Sequence, residues 1–368
     1  MDFNWSLVKA PPADDEIELT VIGPGFGECL VVHVGFGRWL IVDSCRDPTS
    51  KEPAALLYLK ALGIDPKSHV DWVVATHWHE DHIGGLAKIT QECAGARFCC
   101  AGSLGTREFF RYAARSQSVA QADNAGEFRS ILEEMSTSQR QINWIQGHRT
   151  IAVDASPGPQ WKYRIEALSP SDKEHSLFLD RIAAQLPGAK GRPHRALIAE
   201  DPNLAAVVLV IQWEDGAVLL GADLVSDSDV NRGWNAAVDQ GLTIGVRKAN
   251  LVKIPHHGSA GAHSDRMWNE LLEPKPMSAI TPYCRGRKDG RPPKKTDLKR
   301  IASLSSKSIL TAPTQSGRAR KSSSAIQLGL AQNGIVMRSL QTNIGIARFR
   351  RRIGANWSAE KFGRAKEV

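Results

Sequence analysis

The sequence predicts an α+β fold in which β-sheets are sandwiched between helical layers, and three observations lead there. Short apolar strands alternate with helical segments in two similar halves. Three of those strands end on histidine or aspartate. No apolar run approaches the ~20 residues needed to span a bilayer; the longest candidate covers residues 204–213.

In chain order, residues 17–43 read as a meander of three strands, with Gly35-Phe36-Gly37 between the second and third. Residues 52–62 carry a helical pattern that stops at Gly63. Residues 71–76 form a short apolar strand that runs straight into a histidine-rich stretch, and residues 81–93 read as the helix that follows. Residues 101–160 are more polar, with helical patterns at 108–115 and 127–136, and are expected to form a cap or insertion. A strand over 163–168, a helix over 171–186 and a Gly/Pro/Arg loop over 187–202 come next. Strands over 205–212 and 217–220 then lead to Gly221-Ala222-Asp223, and one over 250–254 leads to Pro255-His256-His257-Gly258-Ser259. The expected organisation is an N-terminal extension over 1–16, one domain over 17–345 and a basic tail over 346–368.

At 42% hydrophobic and 23% charged residues, the 368-residue chain can build a core, and wholesale disorder is excluded. Residues 1–16 are acidic, with neither a basic nor an apolar leader segment, so the expected location is cytoplasmic, with no membrane association. The six cysteines contain no C-x-x-C pair and read as buried thiols. A net charge of +8 points to an anionic partner. Protein partners and homo-oligomerisation stay open.

The chemistry concentrates in His77-Trp78-His79-Glu80-Asp81-His82, Asp223 and His256-His257. A pair of divalent metals ~3.5–4 Å apart requires several imidazoles and a carboxylate able to bridge them. His77 and His79 alternate, so they can point at one metal from an extended stretch. Asp81 and His82 lie further round the turn, within reach of a second. Asp223, ending a strand between two histidine segments, suits the bridge.

His77-x-His79-x-Asp81-His82 resembles the H-x-H-x-D-H signature of the metallo-β-lactamase superfamily. Gly221-Ala222-Asp223 resembles its later G-D element with an inserted alanine. Residues 252–259, Val-Lys-Ile-Pro-His-His-Gly-Ser, resemble the branch containing the nuclease domain of DNA-uptake competence proteins. Gly25-Phe26-Gly27-Glu28 is similar to its G-x-G-D turn with Glu for Asp, and Asp43 matches the aspartate ending the next strand. The resemblance spans residues 17–345 and implies an αβ/βα sandwich with two divalent metal ions. It implies that His77 and His79 hold the first metal, that Asp81, His82 and either His256 or His257 hold the second, and that Asp223 bridges them. Many relatives carry a further histidine about 20 residues before the bridging aspartate. Here Asn203 or Asp201 stands nearest, with His194 in a loop. Where the branch often has histidine before a proline, this chain has Arg291. Imidazole and carboxylate donors suit zinc, the favoured metal, and also accept manganese.

Residues 285–300 hold eight basic residues against Asp289 and Asp297, a pattern for capturing phosphates. The leading function is therefore phosphodiester hydrolysis, by a nuclease or nucleotide phosphodiesterase. In that reading Asp81 orients the nucleophile, Asp223 bridges, and Arg291, Lys288 or Lys253 offsets phosphate charge. The alternatives are hydrolysis of an ester, thioester or lactam with the same metals, or a hydrolase-like subunit of a larger complex such as a defence assembly.

Overall fold

The computed structural model describes residues 2–102, 123–147, 149–153, 162–183, 202–284, 291–314 and 344–368. Its strands are β1 (Glu16–Gly23), β2 (Cys29–Gly35), β3 (Arg38–Val42), β4 (Val70–Ala75), β5 (Arg97–Ala101), β6 (Ile142–Ile145), β7 (Arg149–Val153) and β8 (Arg164–Ala167). They continue with β9 (Leu209–Trp213), β10 (Gly216–Leu220), β11 (Ala249–Lys253), β12 (Leu272–Ile280), β13 (Lys307–Leu310), β14 (Gly345–Arg352), β15 (Ser358–Gly363) and β16 (Lys366–Glu367). Two eight-stranded sheets result, ordered β15-β14-β1-β2-β3-β4-β5-β6 and β16-β13-β12-β11-β10-β9-β8-β7. Each has a run of parallel strands, β3 to β6 at one side of the first sheet and β10 to β13 within the second, and the remaining strands pair antiparallel. This is the αβ/βα sandwich expected from the sequence.

Side-chain alternation along the second sheet divides its residues between two hydrophobic layers. Leu209, Ile211 and Trp213 of β9, Val218 and Leu220 of β10 and Leu251 of β11 join the core between the sheets. Val210, Ala217, Leu219 and Val252 face outward instead, onto α7 (Gly233–Ile244) with its buried Trp234 and Val238. The helices before it are α1 (Ala54–Leu62), α2 (Pro66–His69), α3 (Glu80–Ile83), α4 (Leu86–Glu92), α5 (Asp123–Thr137) and α6 (Asp172–Ala183), and α8 (Lys295–Leu304) follows.

Several boundaries differ from the sequence expectation. The single helix expected over 81–93 is two, because Gly84-Gly85 breaks it and Gly85 takes φ +91° as the N-cap of α4. The described parts of residues 101–160 are no cap. Helix α5 packs on α4, β6 extends the first sheet and β7 the second, each edge strand completing its neighbour's hydrogen bonding. The pattern at 108–115 and the loop over 187–200 lie outside the described residues.

The basic tail expected over 346–368 is instead strand. β14 pairs with β1 along its whole length, from Glu16 opposite Arg352 to Gly23 opposite Gly345. Its arginines have structural partners: Arg350 with Glu18 at 2.6 Å, Arg351 with both oxygens of Asp215 at 2.7 and 2.8 Å, and Arg348 with Glu360 at 2.8 Å. The N-terminal extension is packed too, with Phe3 and Val8 buried and the Val8 carbonyl accepting from Arg348.

Candidate metal centre

Open α/β sheets gather the C-terminal ends of their parallel strands along one edge, where the outgoing turns expose their side chains. Four such ends meet here. β4 leads to His77, β10 to Asp223, β11 to His257 and β12 to Thr281.

The donors lie close enough together to share a metal ion. Asp223 Oδ2 stands 3.3 Å from His82 Nε2, 3.3 Å from His257 Nε2 and 4.0 Å from His77 Nε2. Asp81 Oδ2 lies 3.2 Å from His257 Nε2 and 3.8 Å from His82 Nε2, while His77 Nε2 and His79 Nδ1 are 3.1 Å apart. Bonds of about 2.0–2.1 Å in a tetrahedron put donors roughly 3.3 Å apart. Three overlapping groups have donor atoms within 4.8 Å of one another; one, Asp43–His77–His82, lies on the outer side of the rings, and the other two are His77–His79–Asp223 and Asp81–His82–His257–Asp223. Asp223 belongs to both.

Surrounding hydrogen bonds fix which imidazole nitrogen faces inward. Asp43 Oδ2 accepts from Thr76 Oγ1 at 2.7 Å and pairs with His82 Nδ1 at 2.7 Å. The Thr76 hydroxyl, its proton committed to Asp43, is left to accept from His77 Nδ1 at 3.0 Å. The Thr281 carbonyl accepts from His257 Nδ1 at 3.0 Å. In the neutral tautomer each ring therefore turns an unprotonated Nε2 toward Asp223.

The chemistry of the donor set fits divalent cations. Buried His82 Nε2 and Asp223 Oδ1 have no hydrogen-bond partner, and burying a polar atom that way is costly unless an ion satisfies it. Burial alone would raise the carboxyls of Asp81 and Asp223, yet His82 and His257 hold both below the usual carboxylate range. Burial alone would likewise lower His82 and His257. The carboxylates, Asp223 first, push His82 well above its ordinary range and His257 up to about 10. A bound cation would answer the same excess of negative charge, and imidazole ligands bind metal in their neutral form. His77 is held well below its ordinary range by burial, then by His82 and His79.

Of the paired histidines, His257 joins the cluster and His256 does not. His256 pairs with Ser259 Oγ at 3.0 Å through Nδ1 and with Asn203 Nδ2 at 3.2 Å through Nε2. Asn203 is thus set on the flank beside His256, and Asp201 and His194 lie outside the described residues. Lys253 corrects the expectation that it faces a phosphate. It is fully buried, because the alternation that turns Leu251 inward does the same to Lys253, and it pairs with Glu28. Arg291 lies with its guanidinium carbon 5.0 Å from the Tyr283 ring centre, and Tyr283 stands 5.3 Å from the His257 ring. Arg285, Arg287 and Lys288 lie outside the described residues.

Sequence reading missed the supporting Thr76 and Thr281, and named Glu28 and Lys253 without pairing them. A threonine beside a histidine is visible in sequence for Thr76, but Thr281 carries no local signal. It also missed aromatic contacts flanking the donors, Trp78 with Phe178 at 5.0 Å and Phe26 with Tyr283 at 5.4 Å between ring centres.

Residues 22–117 match the model of the metallo-beta-lactamase superfamily. That match and the two-sheet sandwich support a metallo-β-lactamase-like fold, and the clustered donors support the binding of divalent metal. Over 44 residues the chain is 43% identical to the Beta-lactamase-like protein 2 homolog of Caenorhabditis elegans, a stretch covering 11% of this chain and 15% of that protein. Among solved structures, the metallo-beta-lactamase fold protein YhfI of Bacillus subtilis aligns at 13% identity and a TM-score of 0.39, covering 80% of this chain and 95% of that one. A metallo-beta-lactamase from Cronobacter sakazakii aligns at 11% identity and a TM-score of 0.33, covering 64% and 75%. Among the described residues no helix is long and apolar enough to cross a membrane.

Proposed function

We propose that the protein hydrolyses phosphodiesters in nucleic acid or nucleotides at a centre of two divalent metals, zinc by preference. The observation that carries the substrate class is Arg291. Its Nη1 is buried without a hydrogen-bond partner, and it sits one aromatic ring away from His257. A planar, permanently charged guanidinium grips two phosphate oxygens, so such a group beside a metal site suits an anionic substrate.

In this reading His77, His79 and Asp223 would hold one metal, and Asp81, His82, His257 and Asp223 the other, with Asn203 an additional oxygen donor for the first. Two divalent ions, when bound, would supply Lewis acidity and lower the pKa of water toward neutrality. The chain's own residues do the rest. Asp223, common to both donor groups, would hold the two ions together, Asp81 would orient the nucleophile, and Arg291 would offset the charge gathering on the phosphoryl oxygens. Asp43, through His82 and Thr76, holds two imidazoles in the donor tautomer.

The second reading, hydrolysis of a carbon ester, thioester or lactam, draws on the Trp78–Phe178 and Phe26–Tyr283 pairs, which offer apolar surface beside the donors. One screen separates the two. Zinc- or manganese-loaded protein is offered DNA, RNA, cyclic nucleotides, a thioester and a β-lactam, with Asp81→Ala as the control. Turnover of a phosphodiester, lost in Asp81→Ala and reduced in turnover more than in affinity by Arg291→Ala, is expected. Turnover confined to the thioester or lactam overturns the phosphodiester reading.

A further inference from the structure

The two halves of the metal centre come from different sheets, and their donors must agree to fractions of an ångström. We infer that the buried Glu28–Lys253 ion pair is the clamp that registers them, which makes both positioning residues for the metal ligands; this rests on the metal-centre reading above.

Glu28 belongs to the β1–β2 turn of the first sheet and Lys253 ends β11 of the second, and both are fully buried. The Lys253 ammonium pairs with Glu28 Oε1 and donates to the Ala222 carbonyl at 3.1 Å, with Asp223 Oδ1 at 3.9 Å. Ala222 holds φ +44°, a conformation costly for a residue with a Cβ, which persists only where its surroundings enforce it. Its carbonyl also accepts from the His256 amide at 3.0 Å, so Lys253 and the histidine turn together pin the bend that presents Asp223.

The other end of the pair reaches the remaining donors. The Glu28 amide donates to the Asp81 carbonyl at 2.9 Å, and Glu28 Oε2 accepts from the Thr281 hydroxyl. Thr281 is the residue whose carbonyl orients His257. Glu28 Oε1 is also 3.8 Å from His82 Nδ1. One ion pair thus touches the backbone or the orienting partner of Asp81, Asp223 and His257, plus the electrostatic surroundings of His82. Two glycines make the approach feasible. A Cβ on Gly27, at φ +90°, would stand 3.0 Å from the Asp81 carbonyl oxygen, and one on Gly221 would stand 2.9 Å from the Lys253 carbonyl oxygen.

A buried ion pair is weak evidence of stability, since desolvating both charges offsets their attraction. Its retention here, in contact with three ligand-bearing turns, is explained by geometry. Outer partners of metal ligands typically alter metal affinity by about 10–100-fold.

The test titrates metal-free full-length protein with Zn2+ against a chromophoric chelator, and records the absorption spectrum of the Co2+-loaded form. Glu28→Gln/Lys253→Met removes both charges together and so leaves neither one stranded. It is expected to unfold cooperatively, yet to bind Zn2+ about 10–100-fold more weakly, with an altered cobalt spectrum. Thr281→Val removes only the hydroxyl that fixes Glu28 and is close to isosteric; it is expected to weaken binding by about 3- to 10-fold. The second variant decides the matter should the first fail to fold. Wild-type affinity and an unchanged cobalt spectrum in the folded variants would reduce the pair to an ordinary core ion pair. A wild-type protein that binds neither metal overturns the metal centre itself, which is a different failure.

Discussion

The two sheets contribute to the candidate site in different ways. The first supplies four donors from one six-residue run after β4, so its geometry is set by a single strand, turn and short helix. The second supplies two, Asp223 and His257, from separate turns after β10 and β11, where the backbone takes the positive φ values of Ala222 and His257. The first half gathers imidazoles cheaply because neighbours in sequence are neighbours in space. The second half needs strained turns and tertiary hydrogen bonds to place fewer donors, but one of them, Asp223, is shared by both groups. Importance at the site therefore does not follow the number of donors each half gives.

The sharpest way to break that comparison is to remove one shared and one unshared donor. Asp223→Asn is expected to deplete both metals and to lower turnover by more than the ~100-fold that losing an outer partner costs. Its unfolding should remain cooperative, at a midpoint reduced by metal linkage. His79→Ala should deplete only one metal equivalent. Elemental analysis beside a turnover assay checks both, and an Asp223→Asn protein with full metal content and activity would show that the halves are equivalent.

A smaller effect is expected within the second half alone. His257→Ala should lower metal occupancy, while His256→Ala should retain it, because His256 pairs with Ser259 and Asn203. Equal losses in the two variants, read by the same metal analysis, would place both rings at the metals.

The smallest effects contrast the basic segments of the two halves. Arg351, in the first sheet, is buried, bidentate to Asp215 and stacked 5.1 Å from the Trp357 ring centre. Arg351→Ala should lower stability by about 1–3 kcal/mol, leaving the salt dependence of nucleic-acid binding unchanged. Lys294 and Lys295, at the start of α8 beside the second sheet, are exposed. Replacing both with Ala should change stability by no more than about 0.5 kcal/mol, and should lower the salt slope of binding by about 0.7–0.9 for each phosphate that is no longer neutralised. Chemical denaturation and a salt titration of binding measure the two quantities; a flattened salt slope in Arg351→Ala would reverse the assignment of the two segments.

What the sequence by itself determined was local. The apolar period-2 strands, the stop at Gly63 and the run from His77 to His82 each lie within a few residues, where backbone geometry alone brings side chains together. Asp223 was legible because a strand pattern ends on it, and Asp43 for the same reason. Tertiary structure decided everything that depends on which strand lies beside which. The chain end from Gly345 reads as a basic tail until β1 offers it a hydrogen-bonding partner and Glu18 and Asp215 meet its arginines. Lys253 reads as a phosphate-facing cation until the strand parity of β11 turns it inward onto Glu28. His256 and His257 are interchangeable as letters; only the turn after β11 aims one at Asp81 and Asp223 and the other at Asn203. The physical reason is common to all three. Hydrogen bonding and charge pairing across a sandwich join residues far apart in the chain, and no local pattern encodes the partner.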